Sequence, residues 1–203
     1  NHRRTIQRVK VLKPIVNYIN STLQTGKLNG RGFQSGAWYG LSQMIAGVDQ
    51  DGEQYYAISY NGEDVTPYDV YSVNVYHRCV NVTPFNVPAS QFGAGQTVIG
   101  VRFNMRAIIF ADQERVAMDG NDLAVLFYAG MPSEIKRTDI GLTGLHKVSI
   151  SVSSMDTEAD KVFQGEFKAP LPGQLSTSVL IAVNYSIEIQ ADRSCLACSD
   201  CND

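Results

Sequence analysis

The first 48 residues of the chain contain no acidic residue. Seven basic residues give this segment a charge of +7; they are Arg3, Arg4, Arg8, Lys10, Lys13, Lys27 and Arg31. The remaining 10 basic and 20 acidic residues leave the rest of the chain at −10. A basic segment on an acidic body indicates contact with an acidic surface, such as a neighbouring copy of the chain, or a weak contact with nucleic acid. The alternative is an ordinary solvated face.

Long apolar runs are also missing from the sequence. No stretch approaches the roughly 18 consecutive apolar residues that a membrane-spanning helix requires. The basic start "NHRRTIQRVKVLKP" is not followed by a continuous apolar run, so it does not resemble a secretory signal. We therefore predict no membrane contact.

Groups that commonly carry out catalysis are few. The only imidazoles are those of His2, His77 and His146, and the chain has no G-x-S-x-G motif. The glycine-rich stretches "GRGFQSG" and "GAGQTVIG" depart from phosphate-loop spacing, and "DQDGE" lacks the later ligands of a calcium loop. The sequence thus predicts a protein that is not an enzyme and has no cofactor.

Cysteine is almost confined to the final nine residues, "CLACSDCND". Cys195, Cys198 and Cys201 are there, and Cys79 is the only other cysteine. A metal site would need a fourth ligand, which His77 or Cys79 could supply from one face of a predicted strand. A disulfide is the second alternative, and a polar tail without a single chemistry is the third. We expect the polar tail.

Residues 13–25, "KPIVNYINSTLQT", have the periodicity of a helix. Pro14 suits a first helical turn, and Ile15, Ile19 and Leu23 then share one face. Gly26 is a typical helix stop. The following "GKLNGRGFQSGAWYG" has five glycines in fifteen residues and predicts a long loop.

From about residue 38 onward the apolar period changes to two, as expected for strands with one solvated face. The clearest examples are "VRFNMRAII", "HKVSISVSS" and "SVLIAVNYSIEIQ". Weaker candidates are "QYYAISY", "DVYSVNVYHRCVNV", "LAVLFYA" and "KVFQGEF". Turn signals separate the apolar runs; they are Asp51-Gly52, Asn61-Gly62, Asp119-Gly120 and Pro172-Gly173.

These patterns predict a mainly β protein. We expect an antiparallel β-sandwich or barrel of about seven to eight strands with an N-terminal helical arm. The predicted divisions are a basic helical arm and Gly-rich linker at 1–36, a β-sandwich domain at 37–192 and a Cys-containing polar tail at 193–203.

This layout of basic arm, Gly-rich linker and β body resembles that of small β-rich virion proteins from the neck or tail of tailed bacteriophages. The resemblance implies a non-enzymatic structural protein of the virion, which forms a symmetric oligomer with copies of itself and contacts neighbouring assembly proteins. The arm would gain order from these partners. The predicted interface residues are Arg3, Arg4, Arg8, Lys10, Lys13, Ile15, Ile19, Leu23, Trp38 and Tyr39. Deleting 1–36 should then weaken assembly and leave the β domain folded.

Aromatic side chains crowd into residues 38–76 and suggest an alternative. Trp38 and seven tyrosines are there, and such residues on a β surface can bind sugars or proteins. The alternative function is a secreted, extracellular β-sandwich module that binds carbohydrate or a surface partner. A third hypothesis is a metal enzyme using His77, Cys79 and the tail cysteines.

Overall fold

The computed structural model describes residues 2–30, 33, 36–49, 52–60, 62, 64–65, 73–88, 98–175 and 178–193. Its helices are α1 (His2–Thr25), α2 (Gln113–Val116), α3 (Gly120–Gly130), α4 (Arg137–Ile140) and α5 (Ala159–Phe167), with a 3-10 turn at Gly173–Leu175. Its strands are β1 (Ala37–Asp49), β2 (Gly52–Ser59), β3 (Asp64–Val65), β4 (Val73–Phe85), β5 (Val98–Asp112), β6 (Glu134–Ile135), β7 (Leu145–Asp156) and β8 (Ser178–Asp192). The protein is therefore mainly β with an N-terminal helix, as the sequence predicts.

The strands form one sheet in the order β3-β2-β1-β4-β5-β8-β7-β6. Neighbouring strands are antiparallel except β1 and β4, which are parallel. A parallel pair needs a long connection, and the chain between these two strands contains β2 and β3. The sheet is open, since β3 and β6 lie at its two ends. The predicted sandwich or barrel is not confirmed, because the described strands belong to this single open sheet.

Period-two alternation along the central strands gives the sheet two different faces. On β5, Phe103, Met105 and Ala107 belong to the larger apolar core, on what we call the first face. Further along the strand, Ile108 and Phe110 point the other way and belong to a smaller core, on the second face. Helices α1 and α3 contribute buried side chains to the first face, and α5 contributes them to the second. Helices therefore cover parts of both faces of the sheet.

Helix α1 is longer than predicted and is part of the core. It extends over His2–Thr25, so Pro14 lies inside it instead of in its first turn. Proline has no N–H, so one backbone hydrogen bond of the helix is missing at this residue. Ile15, Ile19 and Leu23 are each 0 % exposed. Burying a side chain of this size contributes roughly 1.5–3 kcal/mol, which accounts for the close association of α1 with the sheet.

The prediction of a strand at "LAVLFYA" is wrong, because these residues form most of α3. Asp119 caps the helix, its carboxylate accepting hydrogen bonds from the backbone N–H groups of Asn121 at 2.8 Å and Asp122 at 2.9 Å. Leu123 and Phe127 then lie one turn apart in the core. Asp119-Gly120, which predicted a hairpin turn, is therefore a helix start.

The segment "KVFQGEF" is likewise helical and belongs to α5. Its buried residues are Val162, Phe163, Glu166 and Phe167, a helical spacing that a strand could not present on one face. The helix ends at Lys168, which has a left-handed backbone conformation with φ of 58°.

Candidate functional site

A buried polar cluster joins α1 to the middle of the sheet. Asn20 lies on α1, His77 on β4 and Tyr185 on β8, and all three are in the first-face layer. Asn20 Oδ1 is 2.7 Å from His77 Nε2, and Tyr185 Oη is 2.8 Å from His77 Nδ1. The rings of His77 and Tyr185 meet edge to face with centroids 5.8 Å apart. The cluster holds three distant segments of the chain together.

The hydrogen bonds define one protonation state for this cluster. Asn20 Oδ1 can only accept, so His77 Nε2 carries the proton and donates it. Nδ1 of the neutral ring then accepts the hydrogen bond that the Tyr185 hydroxyl donates. Burial lowers the pKa of His77 to about 3 and raises the pKa of Tyr185, since both charged forms would lose their hydration. The cluster is neutral, and both ring nitrogens of His77 are hydrogen-bonded.

A second buried cluster holds α5 on the other face of the sheet. Glu166 is 2 % exposed and faces two arginines of the neighbouring strands β4 and β5. Arg78 Nη2 donates to Glu166 Oε2 at 2.9 Å, and Arg78 Nε contacts Oε1. Arg106 Nε is 3.4 Å from Oε2, and the Tyr76 hydroxyl donates to Oε1 at 3.4 Å. One carboxylate thus neutralises one of two adjacent guanidinium groups.

The electrostatics of this second cluster favour an intact ion pair. A lone buried carboxylate is costly to desolvate, and two arginines offset that cost. Tyr76 has its pKa raised well above the usual value, first by burial and then by the negative charge of Glu166. The hydroxyl of Tyr76 therefore stays protonated and can donate. The cluster fixes α5 to the sheet.

Beyond α5, the second face is polar and carries cross-strand pairs. Arg102 Nε donates to Glu188 Oε1 at 2.8 Å. Asn184 Nδ2 donates to Ser154 Oγ at 3.0 Å, and Asn104 donates to Asn81. These pairs join side chains of neighbouring strands across the sheet.

The candidate metal ligands are not brought together by the described part of the chain. His77 and Cys79 are two residues apart on β4, but both ring nitrogens of His77 are already hydrogen-bonded. The Cys79 thiol donates to the backbone oxygen of Asn81 at 3.5 Å. Cys195, Cys198 and Cys201 lie outside the described residues. Within the described residues there is no group of three or more histidine, cysteine or carboxylate side chains that could hold a metal ion.

The predicted interface residues of the arm divide into two groups. Ile15, Ile19 and Leu23 are fully buried in the core of their own chain, so a partner cannot contact them in this structure. Lys10 and Lys13 are exposed on the outer side of α1. Arg3, Arg4 and Arg8 belong to α1, but their side chains lie outside the described part of the structure. The three buried residues form the apolar stripe of α1, which packs against the sheet.

The two aromatic residues of the predicted interface pack at least partly into the protein. Trp38 is half-buried against the first-face core, and its indole N–H donates to the backbone oxygen of Phe33 at 3.1 Å. Tyr39 packs against the second-face core. Tyr76, another member of the predicted aromatic surface, is 0 % exposed. These three aromatic residues therefore contribute mainly to packing.

Sequence reasoning did not identify most members of the two buried clusters. Asn20 and Tyr185 were assigned to a helix and a strand, but 57 and 108 residues separate them from His77. A glutamate is usually exposed to solvent, so the sequence alone does not predict that Glu166 is buried. The segment that contains it is also predicted to be a strand, whereas it forms α5. A signal was available for Glu166, since it occupies the buried position four residues after Val162 on a helical wheel.

No protein-family model matches the chain, and no curated protein matches its sequence. Among the described residues, no helix has both the length and the apolar character that crossing a membrane would demand.

Proposed function

We propose that the chain is a non-enzymatic structural subunit that assembles with copies of itself and with neighbouring proteins. The observation that carries this proposal is where its perturbed titratable groups lie. His77, Tyr185 and Tyr76 have strongly shifted pKa values, yet each is 0–2 % exposed and is bonded to another side chain of the core. Shifted groups at a catalytic site must be able to reach a substrate. His77 and Tyr76 hydrogen-bond to side chains of α1 and α5, and Tyr185 hydrogen-bonds to His77.

Exposed apolar side chains support the assembly part of the proposal. Val125 on α3 is 61 % exposed and Tyr128, one turn later, is 56 % exposed. Met155 on β7 is 40 % exposed and Val80 on β4 is 50 % exposed. Such side chains are individually unremarkable on a monomer, but a self-assembling subunit can cover them with a partner.

The proposed setting is the neck or tail of a virion, where the subunit forms a symmetric oligomer. This setting follows from the resemblance in layout, and a sandwich or barrel arrangement of the β domain is part of the same proposal. The basic N-terminal segment, with Lys10 and Lys13 exposed, would contact acidic surfaces of neighbours or, weakly, nucleic acid.

Light scattering coupled to size-exclusion chromatography tests the proposal directly. A defined oligomer, seen as rings or other closed particles by electron microscopy, is the expected result. A chain that stays monomeric at every concentration and joins no larger assembly contradicts it. The alternative sugar-binding function receives less support, because Trp38 and Tyr76 contribute their rings to packing. If the protein bound a glycan and Trp38→Ala abolished that binding, the sugar-binding function would be favoured instead.

A further inference from the structure

The outer edge of β7 is paired over only part of its length. Strand β6 consists of two residues, and it pairs with Val148 and Ser149 of β7. The N–H of Ile150 donates to the backbone oxygen of Ser133 at 2.8 Å, which extends the pairing by one bond. From Ser151 to Asp156, the strand pairs with β8 on its inner side and, within the described residues, with no strand on its outer side.

This outer edge, Ser151–Asp156, lacks most of the features that usually prevent strand addition. Its sequence is "SVSSMD", without proline, lysine or arginine, and Asp156 at its end is its only charge. Four of the six side chains are exposed and the other two are half-buried, with Met155 40 % exposed. Unpaired backbone N–H and C=O groups of such an edge can bind an extended segment.

A β-bulge determines which side chains the edge presents on the first face. The pairing of β7 with β8 shifts register between Val152 and Ser154. As a result, Val152 is opposite Tyr185 and Met155 is opposite Val183, two residues of the first-face core. Val152 and Met155 therefore lie on the same face although three positions separate them.

We propose that this edge pairs antiparallel with the same edge of a second copy of the chain across a twofold axis. The inference rests on the proposed function, which it deepens by naming the surface through which copies associate. An antiparallel strand edge is self-complementary under a twofold axis, because each residue then meets its counterpart in reverse order. The two sheets become one continuous sheet.

The chemistry of the edge favours a second copy over an unrelated strand. Centring the pair between Ser153 and Ser154 puts Val152 opposite Met155 of the second copy, and this apolar pair occurs twice. Asp156 lies opposite Ser151 of the second copy, so the two carboxylates are kept apart. Each exposed Met155 thereby gains an apolar neighbour, and no uncompensated charge is buried at the centre.

Sedimentation analysis of the full chain and of two variants tests this interface. Met155→Lys puts a charge beside Val152 of the second copy and should raise the dimer dissociation constant roughly tenfold or more. Thr83→Lys is the matched control, because Thr83 is exposed on β4, three strands away from this edge; it should leave the dissociation constant unchanged. Thermal unfolding of both variants verifies that each folds.

Hydrogen exchange at residues 151–156 supplies the second measurement. The proposal expects these amides to exchange more slowly as protein concentration rises, and Met155→Lys should remove that dependence. A monomer at all concentrations overturns both this inference and the proposed self-assembly. An oligomer that Met155→Lys leaves intact, with β7 amides indifferent to concentration, overturns the inference alone. If the protein is a monomer and the amides of 151–156 already exchange slowly, another segment of the same chain covers the edge. That result also overturns the inference.

Discussion

Asn20 on the N-terminal helix and His77 on the central strand β4 share a hydrogen bond of 2.7 Å between Oδ1 and Nε2. The bond is fully enclosed, since His77 is 0 % exposed and Asn20 is 6 % exposed. On the other side of the ring, the Tyr185 hydroxyl donates to Nδ1. A single uncharged imidazole thus links α1, β4 and β8, and the stability of the fold becomes sensitive to its protonation.

We predict that the protein loses stability on acidification before most of its carboxylates are protonated. The pKa of His77 is about 3 when folded and 6.5 when unfolded, so between these values the unfolded chain binds a proton that the folded chain does not. Stability is therefore complete above the unfolded pKa and falls as the pH decreases toward the folded one. At about pH 5 the loss amounts to about 2 kcal/mol.

Urea unfolding at neutral and mildly acidic pH measures this loss, and His77→Gln is the comparison that isolates it. The variant is less stable at neutral pH, yet its stability should change less between the two pH values. An equal pH dependence in both proteins would show that other groups cause the effect. The imidazole carbon signals of His77 in NMR spectra should also remain those of the neutral ring at about pH 5.

We predict that Asn20→Leu destabilises the protein by roughly 1–3 kcal/mol, because His77 Nε2–H is left buried without an acceptor. Leucine has a similar volume, so the loss of the hydrogen bond dominates over any cavity. Asn17→Leu is the matched control, since Asn17 lies on the same helix and is exposed. Its effect should stay within about 0.5 kcal/mol. Equal effects at the two positions would contradict the role of the buried cluster.

Secondary structure is predicted correctly from the sequence for strands that have one solvated face. It is predicted less well for apolar segments that have no clear periodicity. Strands β5, β7 and β8 alternate between buried and more exposed side chains over part of their length, where a core covers one face only; Ala107–Ala111 and Val179–Val183 are buried on both faces. "LAVLFYA" is a short apolar run whose type periodicity cannot decide. The buried polar cluster is harder to predict from the sequence, because Asn20, His77 and Tyr185 meet only when α1 packs on the sheet. Which polar residue of an amphipathic helix meets a buried strand histidine is a property of the tertiary fold.

We predict that Glu166→Gln destabilises the protein by about 3 kcal/mol or more, because it leaves Arg78 and Arg106 without their buried counter-charge. Glu188→Gln is the matched control. Glu188 also pairs with an arginine, Arg102, but both side chains are substantially exposed, at 34 % and 49 %. Exposed pairs contribute about 0–1 kcal/mol, so the control should change little. Chemical denaturation compares the two variants.

Hydrogen exchange in α5 adds a local readout to that comparison. Amides of Ala159–Phe167 should exchange faster in the Glu166 variant, since the ion pair fixes this helix to the sheet. Unchanged exchange in α5 together with unchanged stability would show that the apolar contacts of Phe163 and Phe167 hold the helix by themselves.

We predict that deletion of residues 1–25 unfolds the domain. The sequence alone suggests the opposite, namely an arm whose removal leaves the β domain folded. The deletion removes Leu12, Ile15, Ile19 and Leu23 from the first-face core, where each is 0–1 % exposed. It also removes Asn20, the acceptor for buried His77. Near-ultraviolet circular dichroism and thermal unfolding should show that cooperative structure is lost.

Point substitutions on α1 test the same conclusion without truncation. Ile19→Ala should lower the free energy of unfolding by about 2–5 kcal/mol, because it opens a cavity between the helix and the sheet. Ser21→Ala, on the exposed side of α1, should have an effect within about 0.5 kcal/mol. A truncated chain that unfolds cooperatively at the wild-type temperature would mean that α1 is an appendage. Because the stripe of α1 is as buried as the strands beneath it, we expect helix and sheet to unfold as one unit.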